Sequence, residues 1–249
     1  VSALFTFINV RAFNPSRPWL YGRSLLILIG LIGSLLPTTP ALAQVTTDGR
    51  AWLNMQVIGD TGVDKLKWYL ELQPRWRNDV SEFDQRLIRP ALIYELTKDT
   101  SLWFGYVDVK GFGDTSSLRE NRLWQQLLTE FRPTEEIRIK SQTRFEQRRF
   151  EGFSDTTYKL RQKLALYIPI SSGSQYSLLT YGELHHNFNN TDVGATKGLD
   201  QYRLFAGIEW KPNKKFSIET GYLNQHFENR RAPDLNNHIF STTIYYHLD

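Results

Sequence analysis

The sequence predicts an all-β fold: an antiparallel up-and-down transmembrane β-barrel of about ten strands, with twelve as the alternative. Three observations predict it. Charged and apolar residues alternate with period two, the repeat of a strand with two unlike faces. These stretches recur at about eleven to fifteen residues, against ~5–6 in soluble sheets and ~9–11 for a tilted membrane strand. Short turns alternate with longer polar loops, as in barrels whose turns lie on one side of a membrane and whose loops lie on the other.

Arg17 and Arg23 precede the apolar run Leu25–Leu36, and Ala41-Leu42-Ala43 follows before Gln44. This reads as a signal peptide over residues 1–43, too short to span a ~30 Å hydrocarbon core as a helix. The chain begins with Val, so residues 1–16 read as a start set too far upstream. Residues 44–64 are expected at the periplasmic mouth, with Arg50–Ile58 a short strand-like remainder, and residues 65–249 as the barrel.

The first barrel stretch, Lys65–Arg77, sets Leu66, Trp68, Leu70, Leu72 and Trp76 against Lys67, Tyr69, Glu71, Gln73, Arg75 and Arg77. Phe83–Leu96 contributes Arg89. Thr100–Lys110, Arg119–Phe131 and Ser174–Phe188 alternate weakly, and their polar parity includes Trp103, Trp124, Leu128, Leu179 and Tyr181. A partly apolar lumen is therefore expected. Glu136–Arg149 carries Arg138, Lys140, Arg144, Glu146 and Arg148 on one parity, and Thr157–Pro169 adds Lys159, Arg161 and Lys163. Leu199–Lys211 places Tyr202, Leu204, Ala206, Ile208 and Trp210 opposite Arg203 and Glu209. Lys215–Glu228 brings Glu219, and Asn237–Leu248 keeps Phe240, Thr242, Ile244, Tyr246 and Leu248 on the apolar parity. Trp68, Trp76, Tyr158, Tyr202, Trp210 and Tyr222 lie near strand ends, where interfacial aromatic girdles sit.

A cation facing the bilayer midplane costs ~2–4 kcal/mol, and several per strand exceed a folding free energy of ~5–15 kcal/mol. The charged parity is therefore expected to line the lumen: Glu71, Arg75, Arg89, Glu120, Arg122, Arg138, Lys140, Arg144, Glu146, Arg148, Lys159, Arg161, Lys163, Glu183, Arg203, Glu209 and Glu219. The cations concentrate on two adjacent strands and many of the acids lie on others. Two readings stay open: a buried ion-pair network that braces the barrel, or a narrow pore whose basic wall passes small anions.

The composition fits an exported barrel. Hydrophobic residues make up 41% and aromatics 14%, with seven Trp, twelve Tyr and no Cys. Of 30 cations, three arginines fall in residues 1–43 beside no acid, so the remainder has 27 cations against 26 acids. That near-neutrality removes the electrostatic argument for nucleic-acid binding.

Several stretches carry a resemblance: Glu71-x-Gln73-x-Arg75, Arg89-Pro90 with Tyr94, Gly105-Tyr106, Glu120-Asn121-Arg122-Leu123-Trp124-Gln125-Gln126, and Arg144-Phe145-Glu146-Gln147-Arg148. Glu183, Arg203 with Phe205-x-Gly207, and Gly221-Tyr222-Leu223-Asn224 extend it. Over nearly all of residues 50–249 the chain resembles uncharacterised Gram-negative outer-membrane barrels grouped as a domain of unknown function. The resemblance implies outer-membrane location and barrel fold, and no activity. Partners on that reading are outer-membrane lipid, lipopolysaccharide and the barrel-assembly machinery. Chains of this kind usually end on an aromatic residue, whereas this one ends on Asp249.

No catalytic residue, metal ligand or cofactor motif is assigned. There is no P-loop, dinucleotide glycine pattern or zinc spacing. The alternative is a lipid or peptide hydrolase with a His-based site at the external rim, using His185, His186, His226 or His238 with Asp192, Asp200 or Asp234. His185-His186 is a poor metal pair, because adjacent strand residues face opposite ways.

Overall fold

The computed structural model describes residues 46–112, 118–228 and 234–248. The expected leader lies outside the described residues, as do 113–117, 229–233 and Asp249. The described residues form eleven strands: β1 (Thr46–Asp60), β2 (Leu66–Arg77), β3 (Glu82–Glu95), β4 (Thr100–Gly111), β5 (Arg119–Phe131), β6 (Arg138–Phe150), β7 (Thr156–Pro169), β8 (Tyr176–Asn187), β9 (Gly198–Trp210), β10 (Phe216–Phe227) and β11 (Leu235–Leu248). Sequential strands pair antiparallel, and β1 meets β11 in parallel to close the barrel.

The count is eleven, which corrects the expected ten and the alternative twelve. The difference is β1. Residues 44–64 were expected at one mouth, yet Thr46–Asp60 is a 15-residue wall strand. It pairs with β2 from Ala51↔Trp76 to Asp60↔Lys67, and with β11 from Thr46↔Leu235 to Gly59↔Leu248. An up-and-down meander with an odd number of strands can close only through one parallel pair, so the barrel is mixed rather than purely antiparallel. Parallel pairing is slightly weaker per residue, but closure leaves no strand edge unpaired.

Connections 61–65, 96–99, 132–137, 170–175 and 211–215 lie at one end, the short-turn end. Connections 78–81, 112–118, 151–155, 188–197 and 228–234 lie at the other, the long-loop end, and Thr46 starts there too. Connection 78–81 is tight because Asn78, Asp79 and Val80 all take positive φ, at 53°, 52° and 67°. Two longer loops are tied together. Ser154 donates from its backbone N and its Oγ to Asp192 Oδ2 at 2.8 and 2.9 Å, and Asp192 N donates to Asp155 Oδ2 at 2.9 Å. Hydrogen bonds hold the Asp192 carboxyl below the usual aspartate range, that from the Ser154 backbone foremost.

Side chains alternate in and out along every strand. Inside, two apolar clusters sit among the charges. One joins Trp52, Ala165, Tyr167, Leu179, Phe205, Leu223 and Ile239; the other joins Tyr69, Leu87, Ala91, Ile93, Val107, Val109 and Trp124. The interior is thus partly apolar. Close approach explains two of the glycine motifs. A Cβ on Gly105 would meet the Trp124 ring at 2.4 Å. Gly207 pairs with Gly221, and a Cβ on either would meet the Phe205 ring at 2.7 or 2.9 Å. These glycines clear space for inward rings.

Candidate functional site

Inward parity brings all seventeen of the expected charged residues to the barrel interior. Glu71, Arg89, Glu120, Arg138, Arg144, Glu146, Lys159, Glu183, Glu209 and Glu219 are buried outright, and the others are partly buried.

Eight of them join one network, Arg144 through Glu146. Arg122 Nε and Nη2 donate to Glu120 at 2.7 and 2.8 Å, and Arg148 donates to the same carboxylate. Arg122 Nη1 also approaches Glu146 at 3.9 Å. Arg161 bridges Glu146 at 2.8 Å and Glu183 at 2.6 Å, and Arg203 reaches Glu183 at 3.2 Å. The chain of charge thus runs across β5, β6, β7, β8 and β9. Struts span strands that are not neighbours. Arg138 on β6 pairs with Glu209 on β9, and Tyr167 on β7 donates to Glu219 on β10 at 2.9 Å. Arg89 pairs with Glu71 at 2.5 Å, and Lys140 approaches Glu130 at 3.8 Å.

The lumen is filled unequally. Toward the long-loop end, Thr157, Asn187, Asn237 and Ile239 are fully buried. Lys159 pairs there with Asp200 at 2.6 Å, and Asn187 Nδ2 donates to Asp200 Oδ1 at 2.9 Å. Toward the short-turn end a cavity of about 200 Å³ remains, with half-buried Lys140, Gln142 and Tyr245 on its wall. It is smaller than the ~300–1,000 Å³ of sites for drug-sized ligands, and suits water and small ions.

The wall of this vestibule is basic. Arg75, Arg89, Lys140, Arg144, Arg161, Lys163 and Arg203 line it, against Glu71, Glu183 and Glu219. Three of the cations rest mainly on neutral groups. Lys163 Nζ lies 3.9 Å from the centre of the Tyr181 ring. Arg75 lies 4.0 Å over Trp52 and donates to Gln73 and Gln85 at 3.1 and 3.2 Å. Arg144 lies 4.3 Å over Trp124 and donates to Gln126 at 2.8 Å, with Glu146 at 3.9 Å. Trp52 Nε1 and Arg75 Nε are buried donors without a hydrogen-bond partner among the described residues. Rings and amides orient a cation while offsetting little of its charge, and the seven cations of the wall outnumber its three carboxylates.

Trp52, Tyr181 and Phe205 are vestibule residues that sequence reasoning did not single out as a site. Trp52 shares a parity with Arg50, Asn54 and Gln56, and that parity was its only signal.

The histidines stand apart from one another. His185 is buried, with Nδ1 3.1 Å from Gln201 Nε2 and Nε2 3.2 Å from Glu183. His186 faces outward beside Phe188. His226 stacks on Tyr202 at 4.9 Å, and its Nε2 lies 3.5 Å from Asp234. His238 Nδ1 lies 2.6 Å from the Tyr222 hydroxyl. Asp192 binds loop backbone and Ser154, and Asp200 binds Lys159 and Asn187. No His and Asp of the rim meet at one Ser or Thr hydroxyl among the described residues; Asp192 accepts from Ser154 Oγ without a His. Among the described residues no cluster of three or more His, Cys, Asp or Glu could hold a metal ion.

No solved structure matches the chain. It is similar to an uncharacterized protein of Methylorubrum extorquens, at 30% identity over 207 residues, 82% of this chain and 90% of that protein. The sequence from near the start of β1 to the start of β11, residues 49–237, matches one family along its length. The chain belongs to that family, described as Protein of unknown function (DUF2490).

Proposed function

We propose that the chain is a non-enzymatic integral barrel of the Gram-negative outer membrane, with the long loops external. Its lumen is braced by ion pairs and takes up small anions from the periplasmic side. One observation carries the membrane reading: the charges of the strands point inward almost everywhere, while most outward positions are apolar or aromatic and the polar ones among them are chiefly uncharged Ser, Thr, Asn and Gln. Leu70, Leu72, Leu92, Phe104, Leu123, Leu164, Leu204 and Phe240 are exposed within their strands, and Leu178 and Ile208 are exposed as a register pair nearer the short-turn end. Exposed apolar side chains on every side of a closed barrel are what hydrocarbon accepts and water does not. Aromatics flank this band at both ends, with Trp76 and Phe83 toward the long loops and Tyr176, Trp210 and Phe216 toward the short turns.

Within that reading the basic vestibule favours an anion store over an open pore, because the long-loop half of the lumen is packed. Refolding into planar bilayers tests both parts. We expect heat-modifiable migration and stable insertion without steady conductance. Calorimetry with sulfate is expected to give binding that weakens at least ten-fold in Lys163→Gln with Arg144→Gln. Failure to enter bilayers ends the membrane reading. Steady anion-selective channels, reversed by Arg138→Glu with Arg144→Glu, replace the store with a pore.

The His226–Asp234 pair supports a second reading, a rim hydrolase. Assays of lipid and peptide substrates with wild type and His226→Ala test it, and no turnover by wild type ends it.

A further inference from the structure

The outward face carries charge in one place. On β1, β2 and β7–β11 no described Arg, Lys, Asp or Glu faces outward; Asp200, at the β8–β9 register shift, turns in to Lys159. On β3–β6 five do, Arg86, Asp108, Lys110, Arg119 and Arg149, all toward the long-loop end, while Glu82 and Asp84, beyond the β2–β3 register shift, turn in to Arg77 and Arg50. Arg86 pairs with Lys110 across β3 and β4, and Lys110 with Arg119 across β4 and β5, so three cations stand side by side in one row. Arg149 lies in the next row, opposite Asn121. Like charges directly opposite on a sheet destabilise it. Asp108 answers part of this, binding Arg86 at 3.1 Å and Arg119 at 2.9 Å. Glu151, just beyond β6, acts on Arg119 from a distance. Lys110 rests on the Phe112 ring at 5.3 Å, and Arg149 donates to Thr156 Oγ1 at 3.2 Å.

Directly toward mid-barrel from this row the same face turns apolar. The β3–β4 ladder is interrupted at Pro90, which has no N–H, and an open groove runs there between Pro90, Leu92, Phe104, Tyr106 and Leu123. From Lys110 to Phe104 is six residues, about 20 Å of strand. The patch therefore has a basic head and a greasy trough within the reach of a single amphiphile.

We propose that this patch binds a phosphorylated lipid of the leaflet at the long-loop end, the phosphate on Arg86, Lys110 and Arg119 and an acyl chain along the Pro90 groove. The proposal rests on the membrane reading above. Cations near the interface cost only ~0–1 kcal/mol, so the row is tolerable there before any lipid arrives, and a phosphate satisfies several donors at once.

Native mass spectrometry of the detergent-solubilised barrel, titrated with diphosphorylated lipid A and with its dephosphorylated form, tests this. Wild type is expected to retain the phosphorylated lipid at least ten-fold better. Arg86→Gln with Lys110→Gln and Arg119→Gln is expected to erase that preference, while Lys214→Gln at the exposed short-turn end leaves it intact. Asp108→Asn, which frees both arginines, is expected to strengthen retention. Equal retention of the two lipids by wild type, or an unchanged preference in the triple variant, overturns the proposal. A triple variant that does not fold passes the decision to Asp108→Asn, where unchanged or weaker retention overturns it. Insertion into bilayers is scored separately. A barrel that inserts without phosphate preference loses only this site, and one that never inserts loses the membrane reading too.

Discussion

At the scale of single residues, the interior depends on groups that cannot lose a partner cheaply. Glu183 receives Arg161 and Arg203 and neighbours His185. Removing one member of a buried pair costs about 3–5 kcal/mol, because the remaining charge stays desolvated. Glu183→Ala is expected to lower stability by about that amount in urea titrations followed by gel shift. An effect below about 1 kcal/mol would mean that water reaches the pair freely. Gly221→Val is expected to be destabilising for a different reason: its Cβ would sit 2.4 Å from Ala206 O and displace Phe205. Overpacking of this kind costs about 1–3 kcal/mol. The loop tie through Asp192 has a pH signature. Its carboxyl is held below the ordinary aspartate value of 3.8, so the tie is fully present above that pH and is lost only as pH falls through the lower, folded value. A carbon-detected NMR titration is expected to place its midpoint below 3.8, and a midpoint at or above it contradicts the tie.

At the scale of elements, the long charged strands were legible and the seam was not. β6 and β7 announce themselves because Arg138 to Arg148 and Lys159 to Lys163 alternate with residues that avoid charge. Trp124 and Leu179 broke the polar pattern of their strands, and the barrel interior explains why: they pack into apolar clusters among the ion pairs. β1 was legible only as the short strand-like stretch Arg50–Ile58 and not as part of the wall, because the alternation of turns and loops closes an even count without it, and because its second partner, β11, lies far along the chain. Sequence patterns report faces, and a long-range parallel register leaves no local mark. The vestibule was half legible. Parity gave its cations, while their support by Trp52, Trp124 and Tyr181 needed three dimensions. The seam can be tested directly. Leu53 and Thr242 are register partners. Leu53→Cys with Thr242→Cys, in a chain with no other cysteine, is expected to be bridged by a short bis-maleimide reagent. Absence of that product would falsify the eleven-strand closure.

At the scale of the whole molecule, the two ends of the barrel differ in kind. The long-loop end is packed inside, tied by Asp192 outside its strands, and basic on one flank of its outer wall. The short-turn end is hollow and basic within. In the proposed orientation, Asn190→Cys in intact cells is expected to react with a membrane-impermeant maleimide, and Lys98→Cys only after the outer membrane is opened. The reverse pattern would invert the orientation and move the vestibule to the outside.

The parallel seam also bears on how such a chain could be threaded into a bilayer. Ten of the strands can be laid in as five hairpins, each returning to the side it left. The eleventh has no partner to return with, so in the proposed orientation the start of β1 must be carried through the hydrocarbon to the external face. Insertion of this barrel would then include one strand that crosses alone, a step that an even-numbered meander never takes.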